Sequence, residues 1–273
     1  DVDDTILTSL SNAVDTNNSL ILQTVEVDVM NTYGSRAKLE YGGEGTGLFT
    51  TYFEDIQTLN ITRSRHDLEY SVTAHVGNYV VEYLEGVKIF SGTSAVGPDV
   101  YTRDILLPET IDLNKSFPLL TVRGCIMQSD ETETQFFKAT FPDANTLRIE
   151  RLDLPTATNY TPAPTMYVFW QVVEIETDAL VKSGTASIAY NASSATVDLT
   201  ANPISDVNKA FLVFNYMGGA GIRYASKAFT KIDSGLFLFS EYPIETHNWD
   251  GVNKNLSFQI FDFIHNVSHQ FHL

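Results

Sequence analysis

In "TLRIER", residues 146 to 151, Leu147 and Ile149 alternate with Arg148 and Glu150, the period of two required of a strand with one buried face. "TASIAY" at 185 to 190 and "ATVDLT" at 195 to 200 repeat the alternation. Three further strings, "YVVEYL" at 79 to 84, "FWQVVEI" at 169 to 175 and "FQIFDFI" at 258 to 264, are of one kind and have the makings of strands buried on both faces. Ser-Gly pairs at 91 to 92 and 183 to 184, Pro142, Pro155, Pro203 and "MGGAG" at 217 to 221 are expected to separate these short runs. A helical stripe is found at one place. In "DDTILTSLSNAVDTN", 3 to 17, Ile6, Leu7, Leu10 and Val14 share a helical face, so one short N-terminal helix is expected there. The rest reads as all-β.

The strings recur with their neighbourhoods. "FTTYFEDIQTLNITR" at 49 to 63 matches "FKATFPDANTLRIER" at 137 to 151, pairing Phe53 with Phe141, Asp55 with Asp143, Thr58 with Thr146 and Leu59 with Leu147, each 88 residues apart. "SKAFTKIDSGLFLFS" at 226 to 240 is a looser third copy. "VVEYLEGVKIFSGTSAV" at 80 to 96 resembles "VVEIETDALVKSGTASI" at 172 to 188, and "LNKSFPLLTVRG" at 113 to 124 resembles "VNKAFLVFNYMG" at 207 to 218. The first copy is partly degenerate, and "LILQTVEVDVM" at 20 to 30 with "AKLEYGGEGTG" at 37 to 47 is assigned to its missing part. Six or seven strands in about 88 residues make one small antiparallel sandwich. The expected architecture is tandem antiparallel β-sandwich modules, Ig-like or jelly-roll-like: a divergent N-terminal β module at 1–86, a repeat at 87–178, and a repeat with a polar C-terminal tail at 179–273. A larger jelly-roll-like body merging two copies is the alternative.

Composition narrows the class. The chain has 273 residues, 43% hydrophobic with 13 Tyr and 17 Phe, so a core is affordable and bulk disorder is not expected. Its 17 Lys and Arg against 34 Asp and Glu give a net charge of -17, the wrong sign for tracking phosphates, which argues against a nucleic-acid binder. No apolar run approaches the ~18 residues of a membrane span. Cys125, in "LLTVRGCIM", reads as a buried structural thiol. The opening "DVDDTILTSL" lacks Met, as expected of a processed or trimmed form, and its acids read as a solvated terminus.

Candidate chemistry is sparse. Glu82, Glu174 and Asp262 hold the same place in the three double-faced strings, with Asp55 and Asp143 the only other acids at matched places. A catalytic pair needs a defined separation, so these acids are expected to end strands at solvent or to accept backbone donors. His265, His269 and His272 in "HNVSHQFHL" would gather a metal only on a helix. In an extended segment they read as a polar tail that packs on a neighbouring subunit. "GGEGTG" at 42 to 47 and "MGGAG" lack phosphate-loop context and read as hairpin turns. Asn-x-Ser/Thr sequons occur at Asn17, Asn60, Asn114, Asn159, Asn191, Asn255 and Asn266, against a Ser/Thr-rich background that inflates their number. No catalytic residues, metal or cofactor are assigned, and a hydrolase is the least favoured class.

The unit "KSFPLLTVRG...FFKATFPDANTLRIERL...YVFWQVVEI" resembles the β-sandwich repeat of bacteriophage tail, fibre and capsid-surface (decoration) proteins. It does so well over 115 to 175 and more weakly over 209 to 264. The resemblance implies a rigid, non-enzymatic building block of a virion surface or extracellular assembly. Its partners would be copies of itself and other structural subunits, without membrane insertion, and no family active site is carried over. Two alternatives stand beside it. One is an extracellular filament subunit in which "NSLILQTVEVDVM" at 18 to 30 completes a neighbour's sheet. The other is a glycan-binding adhesin using Trp249, Tyr160 and Tyr242 as stacking surfaces.

Overall fold

The computed structural model describes residues 2–28, 48–65, 73–124, 136–151, 154, 165–176, 179–188, 194–201, 203–206, 210–217, 228–232, 236–241 and 254–263. Within them the chain is all-β. The strands are β1 (Val2–Ser9), β2 (Ser19–Asp28), β3 (Phe49–Asp55), β4 (Thr58–Arg65), β5 (Thr73–Glu82), β6 (Val87–Val96), β7 (Thr102–Leu106), β8 (Ser116–Arg123) and β9 (Lys138–Asp143). They continue with β10 (Thr146–Glu150), β11 (Met166–Ile175), β12 (Ala179–Ile188), β13 (Ser194–Asp198), β14 (Ala210–Met217), β15 (Ala228–Ile232), β16 (Leu236–Glu241) and β17 (Lys254–Phe263).

Every pairing is antiparallel, and the sheets repeat. Strands β6 to β11 form the sheets β6-β11-β8 and β7-β10-β9, and β12 to β17 form β12-β17-β14 and β13-β16-β15 in the same order. Strands β1 to β5 form β1-β4-β3 and β2-β5, the same plan with one strand fewer. The place that β6 holds beside β11, and β12 beside β17, has no counterpart beside β5 among the described residues. Only residues 83 to 86 separate β5 from β6, yet β6 pairs along its whole length with β11, from Val87↔Ile175 to Val96↔Met166. Gly86, at φ 74, lets the connection turn away, and its carbonyl accepts the Glu176 N–H at 2.7 Å. The last strand of one unit thus runs directly into the first strand of the next unit's sheet.

This arrangement explains the double-faced apolar string of β11. One face, with Met166, Val168, Trp170 and Val172, joins Leu147 and Ile149 of the unit's second sheet in one core cluster. The other face, with Val173 and Ile175, meets Leu20 of β2 and Val181 of β12 in a second cluster. Each such burial contributes about 1.5–3 kcal/mol. β5 has the same kind of sequence without the same surroundings: Tyr79 remains 52% exposed and Leu22 of the adjacent β2 is 41% exposed.

Three expectations are corrected. The N-terminal helix over 3–17 is absent, because residues 2 to 9 are β1, registered on β4 from Val2↔Arg65 to Ser9↔Thr58. The helical spacing had no buried face to serve, since Ile6 and Leu7 are each 61% exposed. The ladder of β4 supplies backbone partners that Thr and Val favour. The Ser-Gly pairs do not separate strands but lie inside β6 and β12. A Cβ on Gly92 would fall 2.6 Å from Trp170 Cζ2, so this glycine makes room for the indole across the pair. Pro142 lies inside β9, beside the register shift of its hairpin, where its missing N–H removes no ladder pair with β10.

Candidate functional site

The recurring acids hold loops down. Glu174, near the end of β11 and 8% exposed, accepts the Asp112 N–H on Oε1 at 2.9 Å. Asp112 Oδ1 in turn accepts the Asn114 N–H at 2.9 Å, an Asx turn leading into β8. The first unit repeats the device: Glu82 Oε1 accepts the Asp15 N–H at 2.7 Å, and Asp15 Oδ1 accepts the Asn17 N–H at 3.0 Å before β2. The backbone bonds around them correspond as well. Tyr83 N–H donates to Asn18 O and Ile89 N–H to Asn17 O, as Ile175 N–H donates to Lys115 O and Val181 N–H to Asn114 O. These glutamates therefore accept backbone donors. The side chain of Asp262, in β17, lies outside the described residues.

Asp55 and Asp143 serve other turns. Each accepts the N–H two residues on, from Gln57 at 2.7 Å and from Asn145 at 2.8 Å, closing the β3–β4 and β9–β10 hairpins. Asp198 accepts the Thr200 N–H at 2.8 Å, and that backbone bond holds its carboxyl below the usual aspartate range. Carboxylates committed to separate turns do not make an acid–base pair. Among the described residues no group of three or more His, Cys, Asp or Glu side chains is placed to hold a metal.

A cleft of about 270 Å³ opens between β2, β3, β8 and β14, walled by Phe49, Leu120, Val122, Phe136 and Phe137. Two of its polar contacts join units: Thr121 Oγ1 accepts the Thr51 N–H at 3.4 Å, and Asn215 Nδ2 donates to the Pro118 carbonyl at 3.3 Å, while Gln23 Nε2 donates to Thr51 Oγ1 within the first unit. Among the described residues no ionisable side chain lines it, and its walls are mainly apolar.

The sequons divide by place. Asn17 and Asn114 are exposed in the Asx turns just described. Asn60 is buried in β4, donating from Nδ2 to Glu54 Oε2 at 3.0 Å and accepting from the Thr62 hydroxyl, which leaves no room for a sugar in the folded chain. Asn255 is on β17 between Ser187 and Met217 in register. Asn159, Asn191 and Asn266 lie outside the described residues, as do Cys125, Tyr160, Tyr242, Trp249, His265, His269 and His272.

The feature that residue-by-residue reading missed is an edge. Tyr83 N–H bonds to Asn18 O, so in this antiparallel register the odd residues of β5 point their backbone groups at β2. Val76, Asn78, Val80 and Glu82 point theirs the other way. The matching even residues of β11 spend these groups on β6, as the Glu176 N–H to Gly86 carbonyl bond shows. Among the described residues no strand takes them along β5. No protein-family model, curated protein or solved structure matches the chain. The likeness to phage surface repeats therefore rests on the residue patterns quoted above.

Proposed function

We propose that the chain is a non-enzymatic structural subunit of a large extracellular or virion assembly, acting through protein–protein contacts at the open edge of its first unit. One observation carries this reading: among the described residues the ten-residue β5 has a strand partner on one side only, beside exposed Tyr79 and Leu84, without a proline, lysine or arginine to guard the other. Soluble proteins cover or blunt such edges, so an edge left in this state is suited to a partner. Within the class, the edge favours assembly by strand addition over simple decoration of a preformed surface.

The test is solution mass across a concentration series for the full chain and for Val80→Pro, which removes an outward N–H while leaving the β2 ladder intact. Assembly that weakens in the variant supports the reading. A full chain that remains monomeric up to its solubility limit, or assembly indifferent to Val80→Pro, overturns it.

A further inference from the structure

Resting on the extracellular side of that reading, we infer that Asn17 and Asn114 are N-glycosylated, and that Ser19 and Ser116 serve this modification rather than the fold. The two asparagines are exposed and hold the same place in successive units. Each donates its N–H to the Asp two residues before it, Asp15 or Asp112. Each gives its carbonyl to the third residue of the next unit's first strand, Asn17 to Ile89 of β6 and Asn114 to Val181 of β12. These bonds engage backbone atoms, so the side-chain amides are not spent on them.

The serines separate a sequon that is used from one that arose by chance. "DTNNS" at 15 to 19 and "DLNKS" at 112 to 116 each end on a serine that opens its strand and stands opposite the recurring acid, Ser19↔Glu82 and Ser116↔Glu174. Ser19 is 0% exposed and Ser116 1%, and neither Oγ has a hydrogen-bond partner among the described residues. A buried hydroxyl left unpaired opposes folding. The third unit has "DVNKA" at 206 to 210, with Ala210 in register on Asp262, so the ladder forms there without the hydroxyl. What serine supplies and alanine does not is the last residue of an Asn-x-Ser acceptor. Sealed in the folded chain, this hydroxyl is open to a transferase only before the strand is closed. In that step the sugar C1–O bond of a lipid-diphosphate-linked oligosaccharide breaks and a C1–N bond to the asparagine Nδ2 forms. The lipid diphosphate leaves with the electron pair, and one amide proton passes to a base of the transferase. The sugars then stand beside both joints between units, and an assembly contact has to leave that flank free.

The test uses the full chain made in two ways, secreted from a eukaryotic cell line and produced bare in bacteria. The secreted chain is treated with peptide N-glycosidase in heavy-oxygen water and mapped by peptide mass, and Asn17 and Asn114 should each be converted to labelled Asp. Ser19→Ala and Ser116→Ala should each abolish the label two residues upstream and leave the other in place, as should Asn17→Gln and Asn114→Gln. In the bare protein the two serine variants should have urea midpoints no lower than the parent's. A secreted chain bare at either asparagine overturns the inference, and so does a midpoint lowered by both serine changes, which would assign the hydroxyls to the fold. Should a serine variant fail to fold, the hydroxyl is structural and the inference falls with it. Sugars on a chain that stays monomeric leave this inference standing while the assembly reading fails, and bare asparagines on a chain that assembles do the reverse.

Discussion

The carboxylate of Glu174 accepts the backbone N–H of Asp112, 62 residues away, and Glu82 accepts that of Asp15 in the same way. An acid at the end of one strand thus fastens the loop that enters another. The two copies differ in surroundings, since Glu174 is buried and Glu82 exposed. Replacing Glu174 by Ala leaves a partly buried N–H without its charged acceptor and should cost about 1–3 kcal/mol. Glu174→Gln retains an acceptor oxygen and should cost less, while Glu82→Ala, open to water, should cost under about 1 kcal/mol. Urea midpoints of the three variants check the order. Equal losses at Glu82 and Glu174 would contradict it.

Gln171 couples two units. It is 2% exposed on β11, and its Oε1 accepts the Ile21 N–H of β2 at 3.0 Å. Ile21 belongs to the set of β2 residues whose backbone groups face away from β5, so the side-chain amide serves as a partner for that strand's far edge. Gln171→Met approximates the volume and removes the acceptor. The expected loss is about 1–3 kcal/mol, concentrated in the first unit. Calorimetry should show an early transition, and limited proteolysis should cut β1 to β5 first. A single transition merely shifted to lower temperature would count against the coupling.

What was legible in the residues is what is local. Alternation in "TLRIER" acts over a few positions, and strings such as "FTTYFEDIQTLNITR" and "FKATFPDANTLRIER" can be laid on one another, so the all-β class and the repeat could be read directly. Strand partnership is not local. Nothing in "VKIFSGTSAV" distinguishes pairing with 166–175, which it adopts, from folding back on 73–82, from which four residues separate it. That β5 has no second strand partner among the described residues is a consequence of that choice and was equally hidden. The spacing of Ile6, Leu7, Leu10 and Val14 satisfied a helical template, but the edge of β4 decided the outcome. The acceptor role of Glu174 was readable as a type of contact, whereas its partner was not.

Gly92 gives a test of packing across the β6–β11 pair. An alanine Cβ would lie 2.6 Å from Trp170 Cζ2 and 3.0 Å from Cε2, too close for either residue to remain in place. Gly92→Ala should destabilise by about 1–3 kcal/mol through overpacking. Trp170→Leu alone should also destabilise, by opening the core that contains Val168 and Val172. Together the two changes should cost less than their sum, because the leucine vacates the space the methyl needs. A double-mutant cycle from denaturation midpoints measures this, and additivity would show that the indole was not the obstacle.

Arg148 and Asp104 face each other across β10 and β7, with Nε to Oδ1 at 2.7 Å and NH2 to Oδ2 at 2.8 Å. The guanidinium hydrogen bonds hold the Asp104 carboxyl below its ordinary value of 3.8, against a smaller opposing effect of desolvation. The unfolded chain therefore takes up this proton at a higher pH than the folded one. The pair's contribution is present above 3.8 and is lost as pH falls through the depressed value. Both side chains are well exposed, so the contribution is small and salt-screened. Asp104→Asn should lower the urea midpoint slightly at neutral pH in low salt, with the difference from the parent shrinking in high salt and vanishing in strong acid. Lys88 provides the opposite sign: its bond to Glu176 raises its pKa, so its contribution is present below the ordinary 10.5 and is lost as pH rises through the raised value. Lys88→Gln should then converge with the parent at the alkaline end, whereas Asp104→Asn converges at the acid end. Convergence of both variants at the same end would show that net charge, rather than these two pairs, sets the pH dependence.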